Sequence, residues 1–391
     1  MIVNYYRGSD EKITSLTLKN FKAYKEQSFD FSNLTVFCGN NSVGKSTAIQ
    51  AIGMFLQSDM NGNSNLKING DLVHVGDFDD IHNFSMREDD VLYLKYTFED
   101  DTACWGYGIE EGDAREELSR KNELPFIGCD KQLRTITNSL KDNFSFQYLE
   151  AERFGPRDNI PLSQHNYHEG WLGKNGEHTI EVLESLVTRR RLNFSAQEDP
   201  RKHEGIINNN VFNHIEAWMS EISPGHRISP RIEARANVAF NVIIPSPGQL
   251  TKPINIGFGF SYALSIVTAL MLASKNELVI IENPEAHLHP RGQSYLGRLI
   301  ALSAKAGIQV IIETHSDHLL NGIRVIARTD PTFDASLFTL YYISRENDET
   351  SVAKIKINNE GKLSEWPRGF FDQQSQDMYT IMTGSFDHPN I

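Results

Sequence analysis

Apolar residues recur along this chain with two different periods, and the switches between them mark its elements. Near the start Leu16 and Leu18 alternate with polar neighbours. Leu34-Thr35-Val36-Phe37-Cys38 is compact and apolar, and residues 91–96 alternate again, so each of these predicts a strand. Between about 154 and 236 the period lengthens. Ile180, Leu183, Leu186 and Val187 make one helical stripe, and Phe212, Ile215, Trp218, Met219 and Ile222 make a second. Leu278-Val279-Ile280-Ile281 is then an unbroken apolar run, as in strands buried on both faces. Residues 291–306 predict a helix with Leu296, Leu299, Ile300 and Ala304 on one side, and 308–312 the next strand. Strand, helix and strand make one βαβ crossover, right-handed in a parallel sheet. Residues 337–343 and 351–357, joined by a polar turn, predict a hairpin in which Ala353, Ile355 and Ile357 face one way and Lys354 and Lys356 the other.

Composition narrows the class. A chain of 391 residues suggests two domains, or one large domain with an insertion. Its 38 Lys and Arg against 51 Asp and Glu leave a net charge of −13, which argues against a basic surface for nucleic acid or anionic lipid. Local basic patches are still open, and Arg189-Arg190-Arg191 with Arg201-Lys202 is the one candidate; the run reads equally as a solvated helix end before a loop. Three distant cysteines, Cys38, Cys104 and Cys129, exclude a disulfide framework or zinc knuckle and fit a reducing compartment. The start, Met1 to Arg7, lacks the pattern of a signal peptide. The longest apolar stretch, 262–273, is shorter than the ~20 residues of a membrane span. A cytoplasmic protein without a membrane partner is expected.

The densest chemical signal is Gly39-Asn40-Asn41-Ser42-Val43-Gly44-Lys45-Ser46-Thr47. It fits G-x-x-x-x-G-K-[ST], follows the strand ending at Cys38, and leads into a helical run through Ala48, Ile49, Ile52 and Leu56. Glycines let the backbone turn so that successive N–H groups face phosphate oxygens, and the helix N-terminus adds partial positive charge. Lys45 would contact the β- and γ-phosphates and the Ser46 hydroxyl would ligate Mg²⁺, which makes ATP and Mg²⁺ the expected cofactors. The partner element is an acid ending a buried strand. Ile281-Glu282-Asn283-Pro284-Glu285 supplies it, with Glu282 placed to hold Mg²⁺ through water. His315, in Glu313-Thr314-His315-Ser316 at the end of the next strand, is placed to reach the γ-phosphate or the attacking water, since ligands bind at that sheet edge.

The order of glycine loop, long gap, acidic strand and histidine strand resembles the ABC-type ATPases that include RecF, the structural-maintenance-of-chromosomes (SMC) proteins and the overcoming-lysogenisation-defect (OLD) nucleases. Leu18-Lys19-Asn20-Phe21-Lys22-Ala23-Tyr24 is similar to the N-terminal strand of that class, whose basic residue, here Lys22, lies near the nucleotide. Glu285-Ala286-His287-Leu288-His289-Pro290 resembles the OLD-like sequence. Residues 148–157 and 366–373 resemble a stand-alone prokaryotic subfamily with an uncharacterised C-terminal domain, often found in anti-phage defence operons beside an effector.

The resemblance implies an α/β fold: an ABC-ATPase-like head of mixed and parallel β-sheet, with an inserted helical region and a C-terminal β-hairpin extension. The expected divisions are an ATPase lobe at 1–153, a helical insertion at 154–236 serving as an arm or dimer contact, a second lobe at 237–330, and the extension at 331–391. It also implies a homodimer in which a signature motif of one subunit caps the nucleotide of the other. In that place stands Asn255-Ile256-Gly257-Phe258-Gly259-Phe260-Ser261, with Gly259 and Ser261 as the capping residues or, alternatively, Ser261 as an ordinary helix N-cap. Gln147 is either the Mg²⁺-contacting glutamine of the class or a structural residue.

One departure stands out. The class places two acids in succession, the second polarising water, whereas this chain has Asn283 there. An amide orients water but takes no proton, so slow hydrolysis is expected unless Glu285 or Glu282 takes that role; phosphoryl transfer rests mainly on positioning and electrostatics. The expected function is an ATP-driven switch controlling a separate effector such as a nuclease, because no Toprim-type acidic cluster follows the ATPase motifs. The alternatives are a non-hydrolysing ATP-bound scaffold and a DNA-engaging ATPase.

Overall fold

The computed structural model describes residues 12–58, 65–86, 88–89, 91–99, 101–108, 122–129, 145–163, 167–190, 192–196, 198–245, 257–346, 349–367, 370 and 373–385. Met1 to Arg7, Arg191, Asn255-Ile256, Arg368-Gly369 and Phe371-Asp372 lie outside the described residues, as do the side chains of Arg189 and Arg190.

The chain opens with a hairpin, β1 (Ile13–Phe21) and β2 (Tyr24–Asp30), then β3 (Leu34–Gly39) and helix α1 (Lys45–Gln57). The short pieces β4 (Leu66–Lys67) and α2 (Phe78–Ile81) follow. Strands β5 (Leu92–Phe98), β6 (Thr102–Tyr107) and β8 (Phe126–Cys129) extend the hairpin into an antiparallel sheet of order β2-β1-β5-β6-β8, while β7 (Glu123–Leu124) pairs with β4. The alternating pattern of β1 and β5 has its reason here: Leu16, Leu18, Leu92, Leu94 and Tyr96 line one face and pack on α1.

The middle of the chain carries β9 (Phe146–Leu149), β10 (Ile160–Pro161), α3 (Thr179–Ser185), α4 (Val211–Ile222), β11 (His226–Glu233) and β12 (Val238–Pro245). The remainder holds α5 (Phe258–Leu272), β13 (Leu278–Glu282), α6 (Pro290–Lys305), β14 (Gln309–Glu313), α7 (Asp317–Thr329), β15 (Phe338–Glu346), β16 (Glu349–Ile355) and α8 (Gln373–Thr383). The central sheet has the order β16-β15-β3-β14-β13-β9, parallel except for its antiparallel edge strand β16. β13, apolar from Leu278 to Ile281 before its terminal Glu282, lies inside it with both faces covered. α1 lies between one face and the antiparallel sheet, and α3 to α7 contribute to the core on the other face.

Two expectations about organisation change. Residues 154–236 form no separate helical arm. The stripes of α3 and α4 enter the same core as α5 and α6, and β11 pairs with β12 across residue 236, so a boundary there would cut a hairpin. Val187 leaves its stripe, 41% exposed, because the helix widens into a π turn over Leu186–Arg190 and rotates it off the apolar face. The C-terminal hairpin extends the central sheet, with Phe338 to Ile343 of β15 pairing along the whole of β3. Among the described residues no helix is long and apolar enough to cross a membrane.

Candidate functional site

The glycine loop starts where β3 ends. Gly39 pairs with Ile343 of β15, and a Cβ there would lie 1.9 Å from the Ile343 carbonyl oxygen; with φ of +138° the position demands glycine. Gly44, at φ +112°, is the N-cap of α1, and its carbonyl accepts a 2.9 Å hydrogen bond from the Tyr24 hydroxyl. No side chain caps this helix, so its leading N–H groups suit an anion. Asn40, Asn41 and Ser42 form the exposed crest, with Ser42 left-handed at φ +60°, while Val43 and Thr47 are buried. Lys45 is 3% exposed and donates to the Asn40 carbonyl; burial holds its pKa below the usual lysine range. Lys22 lies against the second turn of α1, its Nζ 2.9 Å from Gln50 Oε1.

The acids reach the loop by strand parity. β13 and β14 run in parallel register, with Glu282 beside Glu313. Leu278, Ile280 and Ile311 point to the α1 side, so Glu282 and Glu313, an even number of residues along, point there too. Glu313 Oε2 accepts the Ser46 hydroxyl at 2.8 Å, and its Oε1 lies 4.0 Å from Lys45 Nζ. Glu282 Oε1 accepts the Tyr148 hydroxyl at 2.7 Å; burial raises its pKa and Glu313 adds to the rise.

The turn after β13 is held from outside the loop. Asn283 adopts φ +45°, a region asparagine tolerates, and its N–H donates to the Glu313 carbonyl at 2.9 Å. Its Oδ1 is buried without a hydrogen-bond partner. Arg153, 3% exposed, donates to the carbonyls of Glu150, Glu282 and Asn283 at 2.8, 2.7 and 2.7 Å. The Glu285 carboxylate accepts from Thr314 Oγ1 and the His315 N–H, both at 2.7 Å, which leaves it committed to the turn. His315 is exposed at the sheet edge, its pKa lowered by partial burial and by Lys45.

Three readings do not survive: Gln147 at the cation, Ser261 as a helix N-cap, and Arg201 as part of a basic surface. Gln147 alternates with Phe146 and Tyr148, which face α1, and so lies on the opposite side of the sheet from Glu282. There its amide donates to the Gly170 carbonyl at 2.9 Å and accepts the Leu172 N–H at 3.1 Å, which makes it structural. Ser261 is not a helix cap, since α5 is capped by Gly257 and Ser261 lies one turn inside. Gly259 packs within its own chain, where a Cβ would come 2.4 Å from the His287 carbonyl. Of the basic candidates, Arg201 is buried, paired with Asp199 at 2.7 Å and donating to the Leu270 and Ala273 carbonyls, so it offers no surface to DNA. Three residues at the site, Glu313, Tyr148 and Arg153, were not expected there. For Glu313 a signal existed: Val-Ile-Ile-Glu occurs twice, at 279–282 and 310–313.

Fold and site together define an ABC-type ATPase head. Residues 34–321 match the family described as "AAA domain, putative AbiEii toxin, Type IV TA system", and the chain belongs to that family. Residues 334–380 match a second family, "Protein of unknown function (DUF3696)". The OLD nuclease of Thermus scotoductus is 23% identical over 323 residues, covering 77% of this chain and 58% of that protein, so the chain spans well under two thirds of this relative. The Smc head domain with an extended coiled coil from Pyrococcus furiosus, solved bound to the C-terminal domain of ScpA, matches with a TM-score of 0.52 at 13% identity. The match covers 95% of this chain and 100% of that one. The SMC head domain from Thermotoga maritima gives a TM-score of 0.44 at 14% identity over 88% of this chain and 100% of that one.

The chain thus carries an AAA domain with the fold of an SMC head, and its family implies a nucleotide, typically with Mg²⁺. The residues fit that pair. A hydroxyl and two carboxylates are the hard oxygen donors Mg²⁺ prefers.

Proposed function

We propose that the protein is a slowly hydrolysing ATP switch: two copies close around two Mg-ATP molecules, and closure changes what each presents to a separate effector, such as a nuclease, in anti-phage defence in the cytoplasm. The observation that carries this reading is the meeting of Lys45 and Ser46 with the Glu313 carboxylate at a sheet edge where Glu282 lies beside it in register, next to Asn283 where a second acid would stand. In this reading the loop amides from Gly39 to Thr47 cradle the phosphates, Lys45 neutralises them, and Lys22 borders the nucleotide. Ser46 and Glu282 hold Mg²⁺, while Asn283 and His315 orient the water. Gly259 and Ser261, on the first turns of α5, would approach the nucleotide of the other copy.

Because Gly259 lies against the His287 carbonyl, α5 and the turn after β13 would move as one piece. An effector docked on the head is consistent with the Smc head solved with a ScpA domain, and a nuclease setting with the OLD relative. The test is size measurement by light scattering with ATP and Mg²⁺, together with phosphate release. A shift from monomer to dimer mass with slow release supports the switch.

Asn283 also favours a second reading, a scaffold that binds ATP and releases almost no product. Bound nucleotide with negligible phosphate over hours would select it. DNA engagement would need salt-sensitive binding lost on replacing Arg189 and Arg190.

A further inference from the structure

The two Val-Ile-Ile-Glu strands place two carboxylates side by side, and the proposed mechanism uses only one of them. Glu313 is 7% exposed and touches the glycine loop directly, through the Ser46 hydroxyl at 2.8 Å. Its ion pair with Lys45 is loose at 4.0 Å, and Lys45 itself turns to the Asn40 carbonyl. Two neighbouring carboxylates on one face repel each other, and they also repel an approaching triphosphate, unless a cation lies between. Gln147, the third group expected at the cation, is on the other face of the sheet. On the α1 face the carboxylate beside Glu282 is Glu313, from β14, the strand between β13 and β3.

Resting on the ATP-binding reading above, we infer that Glu313 is a cation-facing carboxylate of this site. With Ser46 and Glu282 it makes nucleotide binding conditional on a divalent cation, by attracting the ion and by repelling a phosphate that arrives without one. Glu313 is in this account no substitute base for Asn283. Its carboxylate lies against the hydroxyl assigned to the metal, whereas Asn283 meets Glu313 through its backbone N–H and keeps its side-chain Oδ1 buried without a hydrogen-bond partner.

The experiment follows a fluorescent ATP analogue binding to the full chain while Mg²⁺ is titrated from a chelated start. It is run for wild type, Glu313→Gln and Glu313→Asp. Glutamine still accepts the Ser46 hydrogen bond, so a purely structural role would leave the Mg²⁺ dependence unmoved. The expected result is at least a tenfold rise in the Mg²⁺ needed for half-maximal binding in Glu313→Gln, with affinity in chelator equal to or above wild type. Glu313→Asp should recover part of the Mg²⁺ response, and thermal melting confirms that each variant is folded. An unchanged Mg²⁺ requirement in a folded Glu313→Gln, or weaker binding in chelator alone, overturns this inference while leaving the ATP site standing. Failure of wild type to bind the analogue at any Mg²⁺ concentration overturns both.

Discussion

The Tyr148 hydroxyl donates a 2.7 Å hydrogen bond to Glu282 Oε1 across the pairing of β9 with β13. It joins an otherwise structural edge strand to the acid at the head of the site. Burial raises the pKa of Glu282, this hydrogen bond lowers it, and burial is the larger effect. The folded chain therefore holds the Glu282 proton more tightly than the unfolded chain does. The stabilising contribution of the protonated form is complete below the ordinary carboxylate range and is lost as pH rises through the raised folded value. Glu282→Gln is expected to raise the melting temperature by a few degrees at about pH 8 and to give no gain near pH 4. Tyr148→Phe, which removes a donor that opposes burial at that carboxylate, should move the acid limb of phosphate release to higher pH. A stability gain of Glu282→Gln confined to acid pH would contradict the assignment.

Gly39 binds the loop to the C-terminal hairpin. With a Cβ only 1.9 Å from the Ile343 carbonyl and a left-handed φ, Gly39→Ala must part β3 from β15 or distort the loop. We expect a loss of about 3–5 kcal/mol in urea unfolding, together with loss of nucleotide binding. Gly257→Ala, where a Cβ meets nothing within 4 Å, is the matched control and should change stability by less than about 1 kcal/mol.

In the proposed switch Asn283 would set the rate. Its backbone is left-handed, a conformation that aspartate tolerates almost as well, so Asn283→Asp restores an acid with little strain. Phosphate release should rise by about tenfold or more, within the usual contribution of a general base. Wild-type turnover equal to that of ATPases with both acids, lost in Asn283→Ala, would show that the amide limits nothing.

Much of this was legible because it is local. The glycine loop, the apolar strands and the helix of residues 290–305 depend on residues a few positions apart. The misplacement of Gln147 follows from one overlooked alternation, since Tyr148 and Gln147 cannot face the same side of β9. Glu313 was readable as the twin of Glu282 only once β13 and β14 were set in register. Arg153 and the hairpin's place in the sheet were beyond reach: Arg153 holds carbonyls 129 and 130 positions away, and nothing local tells β15 to lie beside β3. Strand order is a property of the packed sheet, and the signal for it is spread over the whole core.

The central claim is that the loop from Gly39 to Thr47 grips a triphosphate and that binding brings two copies together. Titration calorimetry with ATP and Mg²⁺, with molecular mass measured on the same sample, tests it most directly. Wild type should bind one nucleotide per chain and double its mass, whereas Lys45→Ala, which removes the buried ammonium, should lose at least about a hundredfold in affinity and stay monomeric. Wild type that releases no heat, or Lys45→Ala that binds and dimerises as wild type does, would contradict the account.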